Sequence, residues 1–177
     1  MRGKMIVLQT SAIKDFMSGL LTSDIFHPFL LEEAVIKTAN TFTIDGRINR
    51  DFYAGSPSEI DAGAAGMPEP LYDFRPWSEM KGLCFNLIKG KRTPLFLQFV
   101  LHLMPEQAES LLAKNGCDAS ASQVKALVLT IRYDGSCVQL ITGTSYSAFT
   151  LSKEADAIWD KALEKYLRLK GIECETL

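Results

Sequence analysis

Histidine is the side chain best suited to proton transfer near neutral pH, and the chain has two histidines. His27 precedes Pro28 in a stretch typical of a loop, whereas His102 lies in a predicted strand. A histidine-dependent mechanism needs an acid or a nucleophile beside one of these rings. We interpret His27 as a solvated loop residue and His102 as a structural histidine.

Other catalytic patterns are missing from the sequence. No GxSxG, HExxH, P-loop or GxGxxG occurs, and the GAAG stretch at 63–66 lacks the lysine and strand of a phosphate cradle. Glu32 and Glu33 are adjacent in a predicted strand, so we expect their side chains on opposite faces. Asp45 and Asp134 are interpreted as turn residues. The sequence therefore predicts no catalytic residue, no metal ligand and no cofactor.

Cationic side chains give the candidates for binding. Lys89, Lys91 and Arg92 close a predicted helix, where they either complement the helix C-terminus or contact an anion. Trp77 and Trp159 are interpreted first as core side chains. Further candidates lie beside two Asp-Gly pairs or on the mixed face of a predicted hairpin. The candidate ligand-binding residues are Arg47, Arg75, Trp77, Lys91, Thr130, Arg132 and Gln139.

Composition bounds the class of protein. The chain has 177 residues, 47% apolar and 23% charged, which is typical of a globular domain, and we predict a single domain over 1–177. A net charge of −2 argues against a general nucleic-acid or anionic-membrane binder. The four cysteines form no CxxC and indicate reduced thiols. The apolar run Met5–Leu8 is too short for a signal peptide, so we expect a cytoplasmic protein.

The stretch Val124–Ile141 predicts a β-hairpin that turns at Asp134-Gly135. Asp-Gly between apolar runs favours a two-residue type I′ turn, in which both residues have positive φ. That turn pairs Ile131 with Val138 and sorts the side chains into one apolar and one mixed face. We therefore predict an inner element of a sheet.

The remaining patterns are placed around this hairpin. A second Asp-Gly, at 45–46, predicts another hairpin that joins a strand over about 30–44 to 47–53, with Phe42 opposite Ile48. Ser11 is a candidate helix cap and Gly90 a candidate C-cap. Further strands are predicted at 5–9 and 95–104, and helices at 12–21, 77–90, 105–115 and 152–171.

Read in order, these elements run strand–helix–hairpin–helix twice. The two half-units, 5–89 and 93–170, suggest an internal duplication or a coincidence of element order. We predict an α+β fold with a mainly antiparallel sheet and amphipathic helices on one face. An irregular loop at 54–75, with three Gly and three Pro within 54–73, is either a mobile connector or a cover for a site.

Two segments carry a family resemblance, NTFTIDGRINRDFY at 40–53 and PWSEMKGLCFNLIKGKRTPLFLQFVLHL at 76–103. They resemble an uncharacterised family of hypothetical bacterial proteins, and the resemblance extends over most of the chain. It implies a cytoplasmic bacterial protein and carries no activity and no functional residue.

Three hypotheses for function follow. We prefer a non-enzymatic ligand-binding or protein-interaction protein that uses an open sheet face or the 54–75 loop, with a second copy of the chain among the candidate partners. The first alternative is an enzyme with His102 or Asp45 as acid–base, acting on a small anionic substrate. That substrate would be bound by Arg47, Arg75, Lys91 and Arg132. The second alternative is nucleic-acid binding through a local basic face.

Overall fold

The computed structural model describes residues 2–53, 70–120 and 122–177, and only the backbone for 2–5. Within these ranges eight strands form one antiparallel sheet, accompanied by four helices, so the predicted α+β class is confirmed. The strands are β1 Arg2–Thr10, β2 Phe29–Lys37, β3 Thr41–Asp45, β4 Arg75–Pro76, β5 Phe96–Leu103, β6 Val124–Tyr133, β7 Val138–Tyr146 and β8 Glu175–Thr176. The helices are α1 Ile13–Thr22, α2 Trp77–Ile88, α3 Pro105–Lys114 and α4 Glu154–Leu169.

The order of the strands is β3-β2-β5-β6-β7-β1-β8, and the short β4 also pairs with β2. The β6–β7 hairpin therefore lies inside the sheet, as its pattern predicted. One sheet runs through both of the predicted half-units.

The helices cover one face of this sheet. Alternate strand residues form the core with them, for example Leu97, Phe99 and Leu101 of β5. Two tryptophans tie helices into this layer, because Trp77 Nε1 donates to Leu20 O at 2.9 Å and Trp159 Nε1 donates to Val128 O at 2.9 Å. Burial of each large apolar side chain contributes about 1.5–3 kcal/mol, so this face holds the layers together.

The β6–β7 turn differs from its prediction by two residues in register. Tyr133 pairs with Val138, and Arg132 with Gln139. The Asp134 carboxylate accepts hydrogen bonds from the Ser136 and Cys137 amides at 2.9 and 3.2 Å, which makes a four-residue loop. Side chains in a strand alternate with a period of two, so the predicted sorting of the faces survives the shift.

The second predicted hairpin turn is wrong. β2 and β3 are joined through 38–40, with Ile36 opposite Phe42, and Asp45 is the last residue of β3. Gly46 is needed for another reason. Its N–H donates to Glu32 O at 2.8 Å, and a Cβ on it would lie 1.8 Å from Leu31 O. The glycine thus permits close approach of two backbones rather than a tight turn.

Two helix caps also differ from the sequence pattern. No side chain caps α1 at Ser11; instead the Thr10 hydroxyl accepts the Ala12 N–H at 3.2 Å. Helix α2 ends at Ile88 with Lys89 as its C-cap, and Gly90 follows with φ of +154°.

Apart from the two-residue strand β4, which lies between β3 and α2, the predicted order β-α-β-β-α occurs twice along the described chain. The pairing within the two units differs, since β5 pairs with β6 while β1 pairs with β7 and β8. A pseudo-two-fold arrangement would require equivalent pairing in both units, so the duplication stays a prediction.

Candidate functional site

A cleft of about 170 Å³ lies at the end of β5, on the sheet face that the helices leave open. The chain segments around residues 47 and 74 pair with each other and form one side of it. The sheet forms its floor. The polar, charged and aromatic residues used below are Glu32, Arg47, Asp73, Phe74, His102, Lys125 and Ser145.

His102 and Glu32 form the centre of the cleft. His102 Nε2 lies 2.8 Å from Glu32 Oε2, and the two side chains are 12% and 29% exposed. A β-bulge brings them together, because the register passes from Leu31 opposite Leu101 to Glu33 opposite Val100. Glu32 is the extra residue of that bulge.

The bulge also corrects the prediction that Glu32 and Glu33 point to opposite faces. Leu31 and Ala34 are both fully buried in the core, so both glutamates between them lie away from it. Strict alternation would have turned one of them toward the helices. The extra residue therefore lets the strand present two acids where a regular strand would present one.

The second ring nitrogen of His102 is not fully buried. Among the described residues, no buried side-chain nitrogen or oxygen lacks a hydrogen-bond partner, and His102 Nδ1 has no partner. The Phe74 ring packs edge-on against the imidazole, with centroids 4.7 Å apart. His102 is thus held at Nε2 and by its ring, while Nδ1 can contact a ligand.

Two cations line the same cleft. The Arg47 guanidinium lies 4.9 Å from the centre of the Phe74 ring, a cation–π distance. Asp73 also lines the cleft, and its carboxylate is engaged by Arg50 at 3.2 Å. Over the ranges that the structure describes, neither Arg47 nor Lys125 forms an ion pair. Both positive charges are therefore available to an anion.

The last residues of the predicted 54–75 loop help to form the cleft, whereas 54–69 lie outside the described residues. Arg50 donates to Pro70 O and Tyr72 O, each at 3.3 Å. Tyr72 OH donates to a Glu106 carboxylate oxygen. These bonds hold the segment before Phe74 to Arg50 and to the first turn of α3.

Three of the predicted ligand-binding residues lie outside the cleft, where they have structural partners, are buried in the core or line another groove. Arg75 forms an ion pair with Glu79 at 3.1 Å and donates to Tyr53 OH at 2.9 Å. Trp77 is 0% exposed, so a ligand from solution does not reach it, and its interpretation as a core residue fits better. Lys91 lies on the helix side of the sheet, in a different groove.

The remaining predicted residues share the open face but lie away from the cleft. Arg132 donates to Gln98 Oε1 at 3.1 and 3.0 Å, and it pairs in register with Gln139. Gln98 is four residues from His102 along β5, which is about 13 Å. Thr130 lies between these positions. Of the predicted set, only Arg47 lines the cleft.

Comparison with known families is decisive for classification. A family model matches residues 19–175. The chain belongs to the family of unknown function DUF5721. No curated protein and no solved structure matched the chain. Within the described part of this DUF5721 protein, no helix is long and apolar enough to cross a membrane.

In this DUF5721 chain the cleft does not contain a Ser–His–Glu triad. Ser145 lies on β7, two strands from His102 on β5. Two strand spacings are about 10 Å, which exceeds hydrogen-bonding distance. What the cleft offers chemically is a carboxylate-oriented imidazole beside two cations.

Sequence reasoning missed Glu32, Phe74 and Lys125 as parts of one site. Glu32 and His102 are 70 residues apart, and no motif spacing connects them. The other histidine also differs from its interpretation as a solvated residue, because Lys81 Nζ lies 2.8 Å from His27 Nε2. Lys81 also donates to Ser23 O at 2.8 Å, so this contact joins α2 to the turn after α1.

Proposed function

We propose that this protein binds a small anion, carrying a carboxylate or phosphate group, in the cleft between Phe74 and the open sheet face. The observation that carries the proposal is the juxtaposition of His102, Arg47 and Lys125 around one cleft, with His102 Nδ1 without a partner among the described residues. The nearby acids are already engaged, Glu32 by His102 and Asp73 by Arg50. An anion would therefore meet the positive charges of Arg47 and Lys125. Because Nε2–H is donated to the Glu32 carboxylate, His102 Nδ1 donates to the anion when the ring is in its imidazolium form.

The size of the cleft limits the ligand. A volume of about 170 Å³ is smaller than that of sites for drug-sized molecules, which measure about 300–1,000 Å³. The ligand, or the part of it that enters, is therefore no larger than a short carboxylic acid or a phosphate group. Pro105 and Leu103 add apolar surface beside the charged groups.

An NMR titration tests this proposal. The ring protons of His102 and His27 are followed while inorganic phosphate, acetate or malonate is added, and His102→Gln assigns the two sets of signals. We expect His102 signals to shift with at least one of these anions while those of His27 stay in place. Arg47→Gln should weaken binding by about fivefold to tenfold, because a charge-assisted hydrogen bond is lost.

Arg132→Gln is the matched control. It removes an equal charge from the same face, but Arg132 contacts Gln98 outside the cleft. Unchanged affinity in this variant supports the cleft as the site. Equal weakening in both arginine variants, or no shift of His102 with any of the three anions, refutes the proposal.

The enzyme alternative receives less support than binding. Its four cations are dispersed: Arg47 lines the cleft, Lys91 another groove, and Arg75 and Arg132 have partners of their own. Asp45, its other acid–base candidate, accepts the Arg47 backbone N–H at 2.9 Å. Binding through the His102–Glu32 pair without turnover is therefore our proposal.

The nucleic-acid alternative would use cations spread over the open face. These include Lys37, which lies 5.2 Å from the Phe96 ring centre, and Arg132. Binding to phosphates along that face would weaken steeply with salt and would be reduced by Arg132→Gln. The same control variant therefore separates this alternative from anion binding in the cleft.

We further propose that the protein acts as one domain in a bacterial cytoplasm. The four free cysteines suit a reducing compartment, and the family resemblance of the sequence supports a bacterial source. We also propose that the chain can associate with a second copy of itself, and light scattering, which measures the mass in solution, tests this.

A further inference from the structure

A second concave surface lies on the helix side of the sheet, remote from the cleft. It is a groove of about 490 Å³ between α1, the end of α2 and the segment 89–94. Its floor is apolar. The floor residues used here are Ile13, Met17, Leu21, Phe85, Ile88 and Leu97.

The rim of this groove is positively charged. Lys14, Lys89, Lys91 and Arg92 line it, and no Asp or Glu is among its lining residues. All four cations are exposed. In the described part of the chain none of them forms an ion pair. Four cations around an apolar floor, with no acid, favour a ligand that is both apolar and anionic.

A purely structural explanation covers part of this rim. Lys89, Lys91 and Arg92 follow the C-terminus of α2, where positive charge is favourable. Lys14 is different, because it lies in the first turn of α1, where the helix dipole is itself positive. The dipoles therefore account for three of the cations, and the fourth adds to the positive potential of the groove.

We propose that this groove binds a free medium-chain fatty acid or a similar single-chain carboxylate. The chain would lie on the apolar floor between Met17 and Leu97, and the carboxylate would contact Lys91, Arg92 or Lys14. The volume lies within the range of small-molecule sites, about 300–1,000 Å³. This site is independent of the anion cleft, since the two lie on opposite faces of the sheet.

The direct test compares ligands that differ in charge or length. The protein is labelled with ¹³C at its six methionine methyl groups, and Met17→Leu assigns the Met17 signal. Octanoate, 1-octanol and octylammonium are titrated below micellar concentrations. We expect octanoate to shift Met17 and to bind about tenfold tighter than octylammonium, because the rim charges attract one and repel the other. Decanoate should bind roughly fifteenfold tighter than octanoate, since it has two more CH₂ groups and each buried CH₂ adds about fourfold.

A pair of variants locates the head group. The double variant Lys91→Gln with Arg92→Gln should weaken octanoate binding by about tenfold and leave 1-octanol binding unchanged. The matched control, Lys114→Gln with Lys153→Gln, removes the same charge from exposed positions outside the groove and should leave both unchanged.

Several results would overturn the proposal. One is equal affinity for octanoate and octylammonium, and another is equal weakening in the two double variants. Absence of a Met17 shift with either fatty acid has the same meaning. A Met17 shift produced only by an acidic amphipathic peptide or by anionic phospholipid vesicles would assign the groove to a different occupant.

Discussion

Gly46→Ala places a methyl group against the backbone of β2 at the bulge that holds Glu32. The added Cβ would lie 1.8 Å from Leu31 O and 2.7 Å from its carbonyl carbon. Neither atom can rotate away, so the end of β3 or the bulge must move. Overpacking of this kind costs about 1–3 kcal/mol, and loss of the 2.8 Å bond from Gly46 N–H to Glu32 O adds about 1 kcal/mol. We expect a destabilisation of about 2–4 kcal/mol.

Gly82→Ala is the matched control for that variant. Gly82 is exposed on α2, and a Cβ there meets nothing within 4 Å. Alanine should therefore stabilise the helix by about 0.5–1 kcal/mol. Urea unfolding measures both free energies, and a thermal scan should show Gly46→Ala melting roughly 4–16 °C lower.

The outcome also bears on the cleft. Movement of the bulge displaces Glu32 from His102, so the His102 ring signals should change in Gly46→Ala and stay constant in Gly82→Ala. A Gly46→Ala protein within about 0.5 kcal/mol of the wild type would refute the close-approach argument.

Three further predictions concern partly or fully buried groups. Burial raises the pKa of Asp160, so its stabilising contribution is present at low pH and is lost as pH rises through the folded-state pKa. Asp160→Asn keeps an acceptor for Thr142 Oγ1 but cannot ionise. The urea midpoint of the variant should therefore not show the Asp160-linked decrease that the wild type shows from about pH 3 to about pH 7. Burial raises the pKa of the Cys84 thiol to about 12. A disulfide reagent should therefore modify half-buried Cys137 first and Cys84 only on unfolding. Labelling of Cys84 in the folded protein would contradict this prediction. Trp77→Phe leaves Leu20 O without its donor and should cost about 1–3 kcal/mol in urea unfolding; a neutral result would count against that bond.

Local pattern predicted the strands and helices well where a single period controls burial. The faces of the β6–β7 hairpin were predicted correctly even though Asp134 forms a longer loop than expected. The two Asp-Gly pairs show the limit of such reasoning. They have the same two residues, but Gly135 has φ of +98° in a turn, whereas Gly46 packs directly against the backbone of β2 at Leu31. That difference arises from tertiary packing and leaves no local signal.

The candidate cleft was less predictable for a similar reason. Arg47 was among the candidates because it follows an Asp-Gly pair, yet its partner in the cleft, Phe74, lies at the end of a loop with no strand pattern. The His102–Glu32 contact depends on one extra residue in β2. A bulge shifts a side chain from one position to another without changing the composition of the strand.

The pairing of β1 with β7 has a consequence for synthesis of the chain. Ile6 N–H donates to Thr142 Oγ1 at 3.0 Å across 136 positions. Ribosomes add about 5–20 residues per second, so roughly 7–27 s pass between synthesis of Ile6 and synthesis of Thr142. The other neighbour of β1, the strand β8, is synthesised later still. During that interval both hydrogen-bonding edges of β1 are unpaired. The nascent chain is therefore most exposed to mispairing before β7 leaves the ribosome, and a chaperone that shields β1 would act at that stage.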